Sequence, residues 1–110
     1  MVVSDYSGWE FKNGGTENAV QSVFRLITEG RDVLDALIAG VNIPELDPLE
    51  TGIGYGALPN AAGVVELDAS CMHGAKKRAG AVASLQGCAR RLSSATSSVA
   101  VAIESQRRPR

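Results

Sequence analysis

Glu66 and Asp68 stand two residues apart in the run "VVELDASCMHG". On a strand that spacing points both carboxylates to one side, and paired carboxylates serve glycosidic and proton-transfer chemistry. Nothing in the neighbouring sequence fits either residue for acid–base duty. A solvated strand face, or an Asp that accepts turn amides, is the stronger reading. Cys71 and His73 repeat the spacing, and a thiol that meets an imidazole is a nucleophile with its base. His73, the single histidine, falls beside Met72, Gly74 and Lys76 without a positioned Ser or metal partner. An exposed turn residue is expected there, with Cys71 behaving as a small hydrophobe. Gly52-x-Gly54-x-Gly56 lacks the preceding strand, the following helix and the further glycine of a nucleotide-binding loop, so turn chemistry explains it better. No metal-ligand spacing and no cofactor motif is present.

The chain that must position these groups has 110 residues, 45% of them hydrophobic and 21% charged, with a net charge of -1. One domain with a modest core fits that size. The charge balance gives no reason to invoke nucleic acid or an anionic membrane, and no apolar run approaches the roughly 20 residues that span a bilayer. The start "MVVSDYSGW" does not read as a signal peptide, so a cytoplasmic location is the default expectation, with Cys71 and Cys88 as free thiols. Charge is unevenly spread. Residues 1–87 hold six basic and eleven acidic side chains, whereas residues 88–110 hold five arginines against Glu104 alone and are crowded with Ser and Ala. That shift marks a boundary.

Within residues 1–87, Val2 and Val3 suggest a short opening strand before "SGWEFKNGG". Thr16 is a candidate N-cap for a helix with Ala19, Val20, Val23, Phe24 and Ile27 on one apolar stripe, stopped by Gly30. Asp32 can cap a second helix carrying Val33, Leu34, Leu37, Ile38 and Val41, ended by Pro44 and Pro48. Residues 51–63 are turn-rich. Val65, Leu67 and Ala69 then alternate with Val64, Glu66, Asp68 and Ser70, as in a strand with one dry face. "HGAKKRAG" reads as a turn, and the small residues 79–84 return as a second strand of a β-hairpin. The order predicts an α+β fold. So few strands leave sheet edges open, which invites a protein partner or a second copy.

Three segments, "SGWEF", "EGRDVLDALIAGVNIPELDP" and "GYGALPNAAGVVELDASCMHG", together resemble the glycosylasparaginase family, the N4-(β-N-acetylglucosaminyl)-L-asparaginases, grouped with plant-type and isoaspartyl asparaginases. "RAGAVASLQG" is similar to the small-residue strand that follows in the family, so the resemblance covers about residues 1–87. Residues 88–110 depart from it and are expected to be a divergent tail, consistent with a reading-frame change or an alternative end.

The resemblance implies an N-terminal-nucleophile hydrolase with a four-layer αββα fold, of which this chain would hold a part. The family precursor cuts its backbone before a threonine, whose hydroxyl becomes the nucleophile and whose freed amine is its base. It then hydrolyses the amide joining asparagine to a sugar. The nucleophile follows His-Asp or His-Gly and precedes a hydrophobic residue and Gly, a pattern found nowhere in the 110 residues. Thr51 lacks the preceding His pair, Thr16 reads as a cap, and Thr96 lies in the tail. By the same resemblance Trp9 and Phe11 match a Trp-x-Phe that shapes the substrate pocket, while composition alone would place them in a core. The expectation is a substrate-binding pair without a catalytic residue, cofactor or metal.

Overall fold

The computed structural model describes residues 1–87. The tail expected at 88–110, with Cys88 and Thr96, lies outside the described residues. Three helices, one short turn of 3-10 helix and a hairpin follow in order: α1 (Tyr6–Glu10), α2 (Ala19–Thr28), α3 (Val33–Leu46), the turn Gly54–Gly56, β1 (Leu67–His73) and β2 (Arg78–Leu85). This is an α+β arrangement.

The opening strand expected at Val2 and Val3 is absent, and "YSGWE" coils into α1 instead. Two valines are too short a β signal to outweigh a capping Asp. Asp5 accepts the amide of Gly8 through its side chain and so starts the helix. The cap of α2 is Asn18 rather than Thr16, which is exposed. Asn18 Oδ1 accepts the Gln21 amide at 2.9 Å while Gln21 Oε1 accepts the Asn18 amide at 3.0 Å, the reciprocal pair of a capping box. Gly30, at φ 86°, closes α2 as expected. Asp32 caps α3 with Oδ2 towards the amides of Leu34 and Asp35. Pro44 does not end α3 but sits inside it. It lies in the last turn, where a missing amide costs one bond only.

α2 and α3 pack together around Ala19, Val20, Val23, Leu34 and Ala36, the buried apolar residues. They approach closely because Gly40 has no side chain: a Cβ there would collide with Val23 Cγ2 and come within 2.9 Å of the Ala19 carbonyl. The expected stripes are only half buried. Phe24 and Val33 remain 60% and 51% exposed.

β1 and β2 pair antiparallel from His73↔Arg78 to Leu67↔Leu85, as the alternation predicts. Leu67, Ala69 and Cys71 are partly buried and His73 fully, while Asp68, Ser70 and Met72 face out. The ladder is irregular between Leu67 and Ala69, where β2 carries one extra residue. Ser84 there adopts φ 52°, and its amide is accepted by Asp68 Oδ1 at 2.8 Å. Among the described residues no further strand joins this two-stranded sheet, and no helix is long and apolar enough to cross a membrane.

Candidate functional site

A cavity of about 450 Å³ opens between the segment that follows α3 and the start of β1. Its walls are the turn from Thr51 to Gly54, Ala57 and Leu58 on one side, Glu66, Leu67 and Asp68 on the other, and Glu45 from the last turn of α3. The sequence between α3 and β1 folds tightly because acidic side chains rivet it to its own backbone. Asp47 Oδ1 accepts the Leu49 amide at 3.0 Å, and Glu50 Oε1 accepts the Gly52 amide at 2.6 Å. Gly54 takes φ 65°, and a Cβ there would strike the Glu45 backbone, so only glycine allows the turn to lie against α3.

The two carboxylates expected on one face of β1 both reach the cavity, and each is already engaged. Asp68 holds the bulge amide of Ser84. Glu66 Oε1 accepts from Gln86 Nε2 at 2.7 Å and Oε2 from Asn60 Nδ2 at 3.1 Å. Asn60 in turn closes its own loop by accepting the amides of Ala62 and Val64. Asp68 accepts a backbone amide, as one alternative had it, but from the strand bulge rather than from a turn, and these contacts tie both residues to the frame.

His73 departs from its expected place. It is the last residue of β1 and only 8% exposed, because the two-residue alternation of the strand carries it onto the inner face. Its Nε2 lies 3.0 Å from Asp32 Oδ1, and its Nδ1 accepts the Lys76 amide at 3.3 Å. An amide can only donate, so Nδ1 is bare and Nε2 carries the proton given to Asp32. The hydrogen bond from His73 holds the Asp32 carboxyl below its ordinary range. Burial pushes the Cys71 thiol up, which disfavours the thiolate a nucleophile needs. Both imidazole nitrogens are thus occupied by structural partners. Among the described residues no three metal-ligating side chains come together.

Trp9 and Phe11 lie on the N-terminal segment and do not line this cavity. Trp9 is 56% exposed on α1. Phe11 caps the end of that helix, and its ring meets Tyr6 edge-on at 6.5 Å. Their segment is nonetheless tethered to the rest of the molecule. Asn18 Nδ2 donates to the Trp9 carbonyl at 3.2 Å. The amide of Asn13 donates to Asp47 Oδ2 at 2.8 Å, so one carboxylate braces both the aromatic segment and the turn entering the cavity wall. Asn18 and Asp47 went unremarked in the sequence. The N-x-x-Q box and the Asp47-Pro48 turn were their available signals.

Of the threonines, Thr51 is exposed at the cavity wall and its carbonyl accepts the Leu58 amide at 3.2 Å. Thr28 donates its hydroxyl to the Phe24 carbonyl at 2.7 Å. Neither has an imidazole or amine partner among the contacts seen.

The family model for asparaginases matches residues 7–102. The chain belongs to the asparaginase family. Over 77 residues it is 35% identical to the isoaspartyl peptidase/L-asparaginase of Rattus norvegicus, covering 70% of this chain and 23% of that protein. It is 38% identical over 66 residues to the N(4)-(β-N-acetylglucosaminyl)-L-asparaginase of Elizabethkingia miricola, covering 60% and 18%. A probable isoaspartyl peptidase/L-asparaginase of Drosophila melanogaster is 38% identical over 80 residues. The alignments thus take in less than a quarter of each relative's length. The family read from "SGWEF", the Gly-Tyr-Gly and "ELDASCM" is the one that these matches show.

Proposed function

We propose that these 110 residues form the front of an asparaginase-type amidohydrolase, part of a four-layer αββα fold, carrying substrate-facing aromatics but not the nucleophile. Trp9 and Phe11 would bind an asparagine-type substrate, with a sugar-linked asparagine the first candidate. The chain alone would not hydrolyse the amide. The observation that carries this reading is the state of its possible nucleophiles. Among the described residues Thr16, Thr28 and Thr51 are internal to the chain and show no amine or imidazole partner, burial pushes the Cys71 thiol up, and His73 is engaged by Asp32 and Lys76. An N-terminal threonine supplies its own base only once its amine is freed.

The test is aspartate release from a glycosylated asparagine by the purified chain, with plain asparagine and an isoaspartyl dipeptide alongside. No turnover above buffer is expected with any of the three. Self-cleavage before a threonine, or turnover that survives both Trp9→Ala and Thr51→Ala, would refute the proposal.

One observation favours a second, non-enzymatic reading. The two-stranded sheet has no neighbour at either outer edge among the described residues, and open edges recruit strands. In this reading the chain docks on a relative or on its own copy. Size-exclusion chromatography separates the two: a defined oligomer supports docking, and a cooperatively melting monomer at all concentrations removes it.

A further inference from the structure

α3 and β1 run side by side in opposite directions, and their two ends are treated differently. At one end Asp32, at the start of α3, meets His73, at the finish of β1. At the other end Glu45, in the last turn of α3, and Leu67, opening β1, both line the cavity. The lengths agree. From Asp32 to Glu45 a helix advances about 20 Å, and from Leu67 to His73 a strand advances about 20 Å.

We propose that Asp32 and His73 form a latch that fixes the angle of the hairpin against α3 and thereby sets the width of the cavity at the far end of the same two elements. The latch is built for one geometry. Asp32 Oδ1 accepts from the imidazole Nε2 at 3.0 Å while Oδ2 accepts the Leu34 amide at 3.1 Å, so the carboxylate cannot turn without releasing one of the two. The ring is fixed from its other side by the Lys76 amide, which belongs to the turn between β1 and β2. Helix cap, imidazole and hairpin turn are therefore one chain of hydrogen bonds across 41 residues of sequence. The rest of the hairpin sits lightly. On the inner face of β1 only His73 is fully buried, with Leu67, Ala69 and Cys71 partly so. A strand so loosely seated takes its tilt from its strongest fixed point.

Hydrogen exchange on the full 110-residue chain tests the latch, using substitutions that separate its two duties. Asp32→Ser keeps an N-cap oxygen but is too short to reach His73, and Asp32→Asn keeps one acceptor oxygen for the cap while its NH2 turns a donor towards the His73 Nε2 proton. Asp32→Ser is expected to speed exchange in β1 and in the cavity wall at residues 51–58 by about tenfold, the loss of one hydrogen bond to a charged group, with α2 unchanged. Asp32→Asn should speed exchange at the same places, because it too keeps the cap and loses the bond to His73. Faster exchange confined to residues 32–36 and 73–77, with 51–58 unaltered, would overturn the proposal. So would a His73→Ala change that speeds exchange at 51–58 by the same factor with and without Ser at position 32. A further measurement needs no variant: the ring ¹⁵N shifts of the one histidine must report the Nε2–H tautomer, and an Nδ1–H ring would also sink the latch.

Discussion

Asp32 shows how one side chain can serve two elements. Its carboxylate is stabilised in the charged form first by the hydrogen bond from His73 and further by the amides of Asp35 and Leu34. A carboxyl whose folded pKa is depressed adds stability that is present above the unfolded value, about 3.9, and lost as pH falls through the folded one. The melting temperature of the parent should therefore exceed that of Asp32→Ala at pH 7, and the gap should close as pH falls below 4. A gap that stays constant from pH 7 to pH 2 would contradict this. The cap was legible in advance because Asp before an apolar helical run is a local signal. Its partner was not, since His73 lies 41 residues away. The alternation of Val65, Leu67 and Ala69 did point inward at Cys71 and His73. Reading "HGAKKRAG" as turn from its first residue cut the pattern short.

At the scale of elements, the helices were legible from their period and the hairpin from its alternation, while boundaries went wrong wherever a side chain outweighed propensity. The capping box of Asn18 and Gln21 displaced Thr16, and Asp5 made a helix of a segment that opens on valines. Asn18→Ala should cost about 1 kcal/mol or somewhat more in urea denaturation, and it also strips the Trp9 carbonyl of its donor. Thr16→Ala should be close to neutral. Gly40 gives a sharper test. Glycine inside a helix is about 1 kcal/mol worse than alanine, so Gly40→Ala would ordinarily stabilise. Here the new methyl meets Val23 and the Ala19 carbonyl, and overpacking of this kind costs about 1–3 kcal/mol. The expected sign is destabilising. A raised denaturation midpoint would show that α2 and α3 are not pressed together at that point.

The described residues bury little. Among them the core is two alanines, two valines and a leucine, while Trp9, Phe24, Val33, Leu58 and Met72 stay exposed. In the larger layered domain proposed above, further chain would cover such faces. If a second copy covers them instead, as in the docking reading, the melting temperature should rise with concentration by mass action. A melting temperature constant over about a hundredfold range of concentration would show that these faces need no cover. Little of the cavity was legible beforehand. The turn 51–54 and the pair Glu66 and Asp68 were noticed separately, but their meeting depends on Asp47, Glu50 and Asn60 folding the intervening chain, and each of those acts on backbone amides that carry no signature in the sequence.

The extra residue at Ser84 limits what can join the sheet. A bulge bends its strand and breaks the even spacing of donors and acceptors, so an incoming segment zipping along β2 from Arg78 finds an uninterrupted ladder only as far as Val82. Growth by repeated stacking of identical hairpins loses its footing at that point. Among the described residues the outer edge of β2 thus offers an even ladder only to a short segment.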